Sequence, residues 1–320
     1  MPIVFWFSFS QFSQPLRNNN ILIFGDCKRS DTKIIWCHGS KTFESLIKQE
    51  NPSRLYLVKS CWKNYRRFCI KCRGYKIYRI AGKRYRCKRC GYTFHDFTGR
   101  WINELHITPK QWLWVIKLFE LELSAKKISE QITLSYPTVL KAVNIIRLTI
   151  VANSPNSDDL LKGEVELDES YLGGRRKGHR GRGAFNKVPV FGILKRNGIV
   201  KVEVVKNVKA ETLLTLTVQT VRRGSIVYTD KFKSYDSLIF CGYRHLKIDH
   251  KKKFSSGKVY INGVEGFWSC AKERLIKHHG VSKERFPLYL KEMEFRYNNR
   301  GKSLFNLLVN FFTNLVPDLL

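Results

Sequence analysis

Two groups of side chains in this 320-residue sequence have the chemical types and the spacing that metal sites require. Three carboxylates, Asp168, Asp230 and Glu265, occur at the boundaries of predicted strands and helices. Four cysteines occur as two Cys-x-x-Cys pairs. Carboxylate oxygens suit hard cations such as Mg²⁺, whereas thiolates suit Zn²⁺. The sequence therefore predicts an acidic site and a separate thiolate site.

The thiolate site combines Cys69 and Cys72 with Cys87 and Cys90, and residues 73–86 separate the two pairs. Such a spacing lets one small β unit supply all four ligands of a tetrahedral Zn²⁺, so that the ion has a structural role. Two redox pairs are the alternative, but the βαβ pattern that surrounds a thioredoxin-like motif is missing. The segment predicts a zinc ribbon.

The segments around the carboxylates alternate between strand and helix patterns. Strands are predicted over residues 163–167, 188–194, 199–205, 225–228 and 243–248, and helices over residues 210–221 and 264–276. Asp168 ends the first strand, Asp230 ends the fourth, and Glu265 opens the last helix. This order of elements predicts an α/β protein with an RNase H-like catalytic domain.

The region before this domain has the pattern of a helix-turn-helix. Ser124 can cap a helix over residues 125–131, and Tyr136-Pro137 opens a second helix that runs to Ile150. We place three residues on the outer side of the second helix, where they would contact phosphates and base edges. These DNA-binding candidates are Lys141, Asn144 and Arg147. A plain helix bundle with a solvated face is the alternative interpretation.

The charge of the chain indicates a polyanionic partner. Lysine and arginine total 58 against 26 aspartates and glutamates, which gives a net charge of +32. Because the longest apolar stretches are broken by polar residues, we expect no membrane span. The Cys-x-x-Cys pairs indicate a reducing compartment. We therefore expect the protein to be located in the cytoplasm, associated with the nucleoid, or in the nucleus if the host is eukaryotic.

Residues 173–183, between the first two predicted strands, combine five glycines with five permanent cations. Glycine lets the backbone approach a phosphate chain closely, and the cations neutralise it. The segment predicts a DNA-gripping loop. Its cationic residues are Arg175, Arg176, Lys177, Arg180 and Arg182.

Three motifs around the carboxylates resemble the acidic motifs of insertion-sequence DDE transposases, in the family's order. They cover residues 166–171, 228–230 and 260–268. The chain is most similar to the zinc-ribbon-bearing bacterial group related to eukaryotic Merlin elements, which has an ISXO2-like transposase domain. The resemblance covers roughly residues 41–300, including the segments 286–292 and 294–300.

This resemblance implies cleavage of DNA at transposon ends and strand transfer into target DNA by a two-metal mechanism. Two Mg²⁺ ions, or Mn²⁺, about 3.5 to 4 Å apart would neutralise the attacking and leaving oxygens. Asp168 would bridge both ions, and Asp230 and Glu265 would each hold one. Lys272, two helical turns after Glu265, would clamp a phosphate, with a solvated lysine as the alternative. Glu169 is only the second choice after Asp168 as a metal ligand. Neighbouring residues on a strand point to opposite faces, so Asp168 and Glu169 can hardly both reach the same pair of ions.

The implied partner is double-stranded DNA, both the terminal inverted repeats and the target, bound by a homodimer or a higher oligomer. Two alternatives share the same motifs. One is a domesticated or inactive transposase that acts as a DNA-binding regulator, and the other is a nuclease that cannot join DNA. Trp268 would either stack against an unpaired base or pack in the core.

The predicted layout has five parts. Residues 1–40 receive no assignment, and residues 41–100 hold the N-terminal helix and the zinc ribbon. Residues 101–152 form the helix-turn-helix region, and residues 160–300 form the RNase H-like domain. Residues 301–320 form an apolar C-terminal helix, which packs either between subunits or on the core of its own chain.

Overall fold

The computed structural model of the chain describes residues 43–62, 66–154, 160–173, 187–248, 259–278 and 280–317. Its largest element is a five-stranded sheet in the order β6-β5-β4-β7-β8. The strands are β4 (Glu164–Leu172), β5 (Val188–Lys195), β6 (Val200–Val204), β7 (Ile226–Asp230) and β8 (Arg244–Ile248). β4, β5 and β6 are antiparallel neighbours, whereas β7 and β8 run parallel to β4. This is the RNase H-like arrangement that the sequence predicts.

Helices cover both faces of this sheet. On one face lie α7 (Asn262–Leu275) and α8 (Phe286–Asn298), whose apolar residues form a core with Val190, Leu194 and Tyr228. On the other face α6 (Ala210–Thr220) packs near Val165, Leu167 and Phe191. The 3₁₀ segment Lys233–Cys241 joins β7 to β8 on that second face. Because both faces are covered, the interior strand β5 is largely apolar on both sides.

Strand β4 is longer than the sequence pattern indicates. It continues to Leu172 because it pairs with β5 at every position from Val165 to Leu172. The prediction that Asp168 ends this strand is therefore wrong. Asp168 instead lies just beyond the last position, Glu166, at which β4 pairs with β7.

The ribbon consists of the strands β1 (Ile77–Ile80), β2 (Arg84–Cys87) and β3 (Thr93–His95). It follows the helical residues 43–47 (α1) and the helix α2 (Glu50–Cys61). The buried Asp96 binds three donors from around the ribbon: Arg54 at 2.7 Å, Arg67 at 2.8 Å and Trp62 Nε1 at 2.9 Å. These contacts hold α2 against the ribbon. Separating them would leave the Asp96 carboxylate buried without its cationic partners, which would cost free energy of folding.

The four cysteines meet at one end of this ribbon, where β1 begins and β2 ends. Their Sγ atoms all lie within 4.8 Å of one another, with 3.5 Å between Cys69 and Cys90 and between Cys72 and Cys87. Four thiolates about 2.3 Å from a tetrahedral Zn²⁺ would be about 3.8 Å apart, so the cluster fits this ion. The donor set and spacing support structural zinc.

A bundle of helices follows the ribbon, linked through a 3₁₀ segment (Trp101–Asn103). It contains α3 (Pro109–Glu120), α4 (Ala125–Gln131) and α5 (Tyr136–Ala152), and Ser124 caps α4 as predicted. The C-terminal helix α9 (Leu304–Phe312) packs on α3 and α5, with the rings of Trp112 and Phe312 4.3 Å apart. The apolar face of α9 therefore covers the core of its own chain. None of the described helices is long and apolar enough to cross a membrane.

Arg147 is buried, and the prediction that it lies on the outer face of α5 is wrong. Its Nε donates to Glu292 on α8 at 2.7 Å, and its side chain is only 2% exposed. Glu292 also accepts from Arg296 at 2.9 Å. Burial by itself raises the pKa of Glu292, but the two facing guanidinium groups outweigh it, and the pKa is lowered. Arg147 follows the buried Val143 by four residues, so helical spacing places it on the inner face.

This ion pair joins parts of the chain that are far apart in sequence. α8 follows the sheet, whereas α5 precedes it, and Arg296 also donates to the last carbonyls of α3, those of Phe119 and Glu120. Leu46–Leu320 form one compact unit, to which these contacts contribute. The limits predicted for the separate regions remain predictions.

We expect Arg147→Ala to lower the free energy of unfolding by about 3 kcal/mol, because Glu292 keeps only one of its two cationic partners in the interior. Urea-induced unfolding of the full chain measures this change. Lys141→Ala is the matched control, since Lys141 is exposed on the same helix and should cost no more than about 0.5 kcal/mol. Unchanged stability in Arg147→Ala would contradict the structural role of the pair.

We expect Cys72→Ser to lose zinc and to unfold the ribbon, because three thiolates and a hydroxyl bind the ion far more weakly. Metal analysis of the purified protein and its circular dichroism measure both effects. Cys241→Ser is the control, since Cys241 is half-buried and lies outside the cluster. Equal zinc contents in the two variants would count against the four-cysteine site.

Candidate active site

Two parallel strands bring Asp168 and Asp230 together. The last paired positions of β4 and β7 are Glu166 and Tyr228, and each aspartate follows two residues later on its own strand. Side chains two apart on a strand point to the same face, so both carboxylates lie on the face that α7 and α8 cover. Both aspartates are half-buried.

Glu265 reaches the same face from α7. It lies in the first turn of this helix and is exposed. The preceding residue, Val264, is fully buried, and its backbone N–H donates to the Oε2 atom of Glu166 at 3.0 Å. The first turn of α7 is therefore anchored directly on β4, beside Asp168.

The pKa of Asp168 reflects its burial and the acidic residues around it. Burial, followed by the charges of Glu169, Asp230 and Glu265, raises the pKa of Asp168 to about 8. Asp230 accepts a hydrogen bond from the backbone N–H of Phe232 at 2.9 Å, which orients its carboxylate. The structure thus assembles acidic groups that repel one another, an arrangement that bound cations relieve.

Glu169 points to the opposite face of β4, as the sequence predicts. Its carboxylate accepts a 2.7 Å hydrogen bond from the Tyr235 hydroxyl, inside the core on the α6 side. Burial and then the nearby acidic residues raise the pKa of Tyr235 well above its ordinary value. Tyr235 therefore remains a hydrogen-bond donor to Glu169 at neutral pH.

The donor set of Asp168, Asp230 and Glu265 fits hard divalent cations. All three offer carboxylate oxygens, which Mg²⁺ and Mn²⁺ prefer. Among the described residues, the four cysteines are the only group of three or more potential ligands whose donor atoms lie within 4.8 Å of one another. The three carboxylates do not form a cluster as tight as that of the four thiols.

Two further residues of α7 were singled out from the sequence. Lys272 is exposed and lies two turns after Glu265 on α7. The two side chains are therefore on the same side of the helix, as the predicted phosphate contact of Lys272 requires. Trp268 is buried against Gly192, the residue that pairs with Asp168. A Cβ atom at Gly192 would lie 2.6 Å from the Trp268 ring, so the tryptophan packs in the core rather than stacking on a base.

The predicted DNA-binding residues are distributed differently. Lys141 is exposed on α5, and Asn144 is half-buried and accepts from Arg147 Nη1 at 3.3 Å. The cationic residues of the glycine-rich loop lie outside the described residues. They are Arg175, Arg176, Lys177, Arg180 and Arg182.

The sequence interpretation missed a polar network next to the acidic residues. Glu166 is buried and binds both Val264 and Arg196, whose guanidinium lies between the rings of Tyr228 and Tyr260. The signal in the sequence is the spacing of Glu166, two residues before Asp168 and hence on the same face. Its partners come from distant segments and leave no local pattern.

Known families and individual proteins match this chain. The family of the ISXO2-like transposase domain matches residues 160–298, and that of the transposase zinc-ribbon domain matches residues 48–93. An uncharacterized transposase-like protein of Haemophilus influenzae is 48% identical over 96 residues, 30% of this chain and 78% of that protein. An uncharacterized protein in the transposable element ISH50 of Halobacterium salinarum is 29% identical over 281 residues, 80% of this chain and 92% of that protein.

Solved structures are similar at a lower level. The catalytic core domain of BIV integrase is 14% identical with a TM-score of 0.31, over 44% of this chain and 86% of that one. The pre-cleavage Mos1 transpososome is 11% identical with a TM-score of 0.27, over 63% and 79% of the two chains. At these TM-scores the fold assignment rests on the strand order. From the matched domains and relatives, this chain belongs to the family of ISXO2-like transposases with an N-terminal zinc ribbon.

Proposed function

We propose that this protein is a DDE-type DNA transposase that cleaves DNA at transposon ends and joins the ends to target DNA. The observation that carries the proposal is the convergence of Asp168, Asp230 and Glu265 on one face of the sheet. They come from two strands and a helix, so only the fold brings them together. Family membership supplies the substrate class.

In this proposal the three carboxylates have different roles in metal binding. Bound Mg²⁺ or Mn²⁺ ions would supply charge stabilisation for the attacking and leaving oxygens of a phosphodiester exchange. Asp168, which is central and half-buried, would hold both ions. Asp230 and Glu265 would each hold one of them. The attacking group is water in the cleavage step and the 3′-hydroxyl of the transposon end in the joining step.

The remaining parts of the chain would bind DNA. The ribbon and the helices α4 and α5 would recognise the terminal repeats, with Lys141 on the exposed side of α5. Lys272 would hold a phosphate next to the carboxylates. A homodimer or higher oligomer would pair two transposon ends, in the cytoplasm at the nucleoid, or in the nucleus of a eukaryotic host.

Two alternative functions predict different products. A DNA-binding regulator binds the terminal repeat and cleaves nothing with any divalent cation. A nuclease cleaves the repeat but yields no joined product. If one preparation cleaves the repeat with Mg²⁺ and also yields a strand-transfer product, the result supports a transposase. If it cleaves the repeat but yields no strand-transfer product, the result supports a nuclease.

We expect Asp230→Asn to reduce Mg²⁺-dependent cleavage of terminal-repeat DNA by about a hundredfold or more, because one charged ligand is lost. DNA binding in a mobility-shift assay should remain near the wild-type level. Asp236→Asn is the matched control, since Asp236 is exposed six residues later and pairs with Lys247. Wild-type cleavage by Asp230→Asn would rule out this assignment of the active site.

We expect the affinity for terminal-repeat DNA to fall steeply between about 50 and 200 mM salt, because neutralised phosphates release counterions. Lys141→Ala should reduce the slope of log K against log salt by about 1 if this lysine contacts a phosphate. Lys141→Arg keeps the charge and should keep the slope. Equal slopes for the alanine variant and the wild type would remove Lys141 from the interface.

A further inference from the structure

We propose that Glu166 and Arg196 form a clamp that positions the first turn of α7, and thereby sets where Glu265 stands relative to Asp168. The inference rests on the proposed function, in which these two acidic residues share metal ions. In this view Glu166 is a positioning residue, although it is a carboxylate on the same strand face as Asp168.

Glu166 supplies the capping acceptor that the N-cap residue of α7 lacks. The N-cap residue of this helix, Ile261, has no side chain that can accept a hydrogen bond from the first turn. Glu166 supplies the acceptor from β4, since its Oε2 atom takes the backbone N–H of Val264 at 3.0 Å. This is the third residue of the helix, whose N–H a capping side chain commonly binds. The negative charge also lies at the positive end of the helix dipole.

Arg196 fixes the carboxylate of Glu166 and the chain that leads into α7. Its Nε donates to the Oε1 atom of Glu166 at 2.9 Å, and its Nη2 donates to the carbonyl of Tyr260 at 2.6 Å. Its guanidinium lies 3.6 Å from the ring centre of Tyr228 and 3.9 Å from that of Tyr260. A planar guanidinium with several directed donors and two stacking rings leaves little freedom for rotation.

Gly263 makes the close approach of α7 to Glu166 possible. A Cβ atom at this position would lie 2.8 Å from the Oε2 atom of Glu166 and 3.1 Å from a methyl group of Leu194. Because Arg196 and Val264 hold this carboxylate, it cannot rotate away without losing its partners. Gly266, one residue after Glu265, offers a contrast, since a Cβ atom there would meet nothing within 4 Å.

The clamp therefore controls the distance between two proposed metal ligands. Glu166 lies two residues before Asp168 on β4, and Val264 immediately precedes Glu265 on α7. The hydrogen bond between Glu166 and Val264 joins the backbone segments that carry the two ligands. Groups that orient metal ligands in this way typically contribute about ten- to a hundredfold to metal affinity.

The first experiment compares Gly263→Ala with Gly266→Ala in the full-length protein. Calorimetry measures Mn²⁺ binding, and hydrogen exchange measures protection of the amides in the first turn of α7. We expect Gly263→Ala to weaken Mn²⁺ binding roughly tenfold and to speed this exchange. Gly266→Ala should leave the affinity within about twofold of wild type, since alanine merely favours the helix.

The second experiment compares Glu166→Gln with Glu294→Gln. Glu294 is a matched control, because it is a buried carboxylate that accepts a backbone N–H, that of Val202 at 2.8 Å, and pairs with Lys291 at 3.0 Å. Both variants should lower the melting temperature. Only Glu166→Gln should weaken Mn²⁺ binding roughly tenfold, with the number of bound ions unchanged because Glu166 is not itself a ligand.

Three results would overturn the clamp. The first is that Glu166→Gln and Gly263→Ala both bind Mn²⁺ with wild-type affinity. The second is that Glu294→Gln loses as much Mn²⁺ affinity as Glu166→Gln does. The third is that Glu166→Gln binds one Mn²⁺ ion fewer than the wild type. The proposed function fails separately, if wild-type protein and Asp230→Asn bind Mn²⁺ equally or if neither binds it. In that case, unchanged exchange at the Val264 amide in Glu166→Gln would still refute the clamp, and faster exchange would support it.

Discussion

The pairing of β4 on both of its sides is the constraint on which the active-site face depends. β5 holds β4 along almost its entire length, whereas the parallel partner β7 stops at Glu166. The strand therefore stays paired with β5 through Asp168, while its other side is no longer paired with β7 there. Because side chains alternate, Glu166 and Asp168 project to the α7 side and Glu169 projects into the opposite core.

Three buried carboxylates join layers of this molecule, and each of the three is paired. Glu166 connects the sheet to α7, Glu292 connects α5 to α8, and Asp96 connects α2 to the ribbon. In each case one carboxylate binds at least one arginine and a second donor. A burial of this kind adds little net stability over apolar packing, but any other arrangement leaves a charge unpaired. Such pairs can select one packing arrangement of the layers.

The cysteine cluster and the acidic site follow different physical rules. The cysteine cluster closes around one ion and gives a small ribbon the stability that its few apolar residues cannot supply. The acidic site instead keeps its carboxylates half-buried or exposed and spread over three elements. Burial and the charges of the nearby acidic residues together raise the pKa of Asp168, so a cation bound there would stabilise its ionised form.

The sequence by itself determined most of the strands and helices and the four cysteines of the cluster, and it singled out three candidate acidic residues, because strand alternation, helix caps and Cys-x-x-Cys spacing act over a few residues. Only the tertiary structure decided the surroundings of Arg147, Glu166 and Trp268, and the packing of α9 on its own core. Arg147 finds its carboxylate 145 residues away, and Glu166 finds its helix 98 residues away. A local pattern shows that a polar residue faces inward, but the partner that satisfies it is set by how distant elements pack.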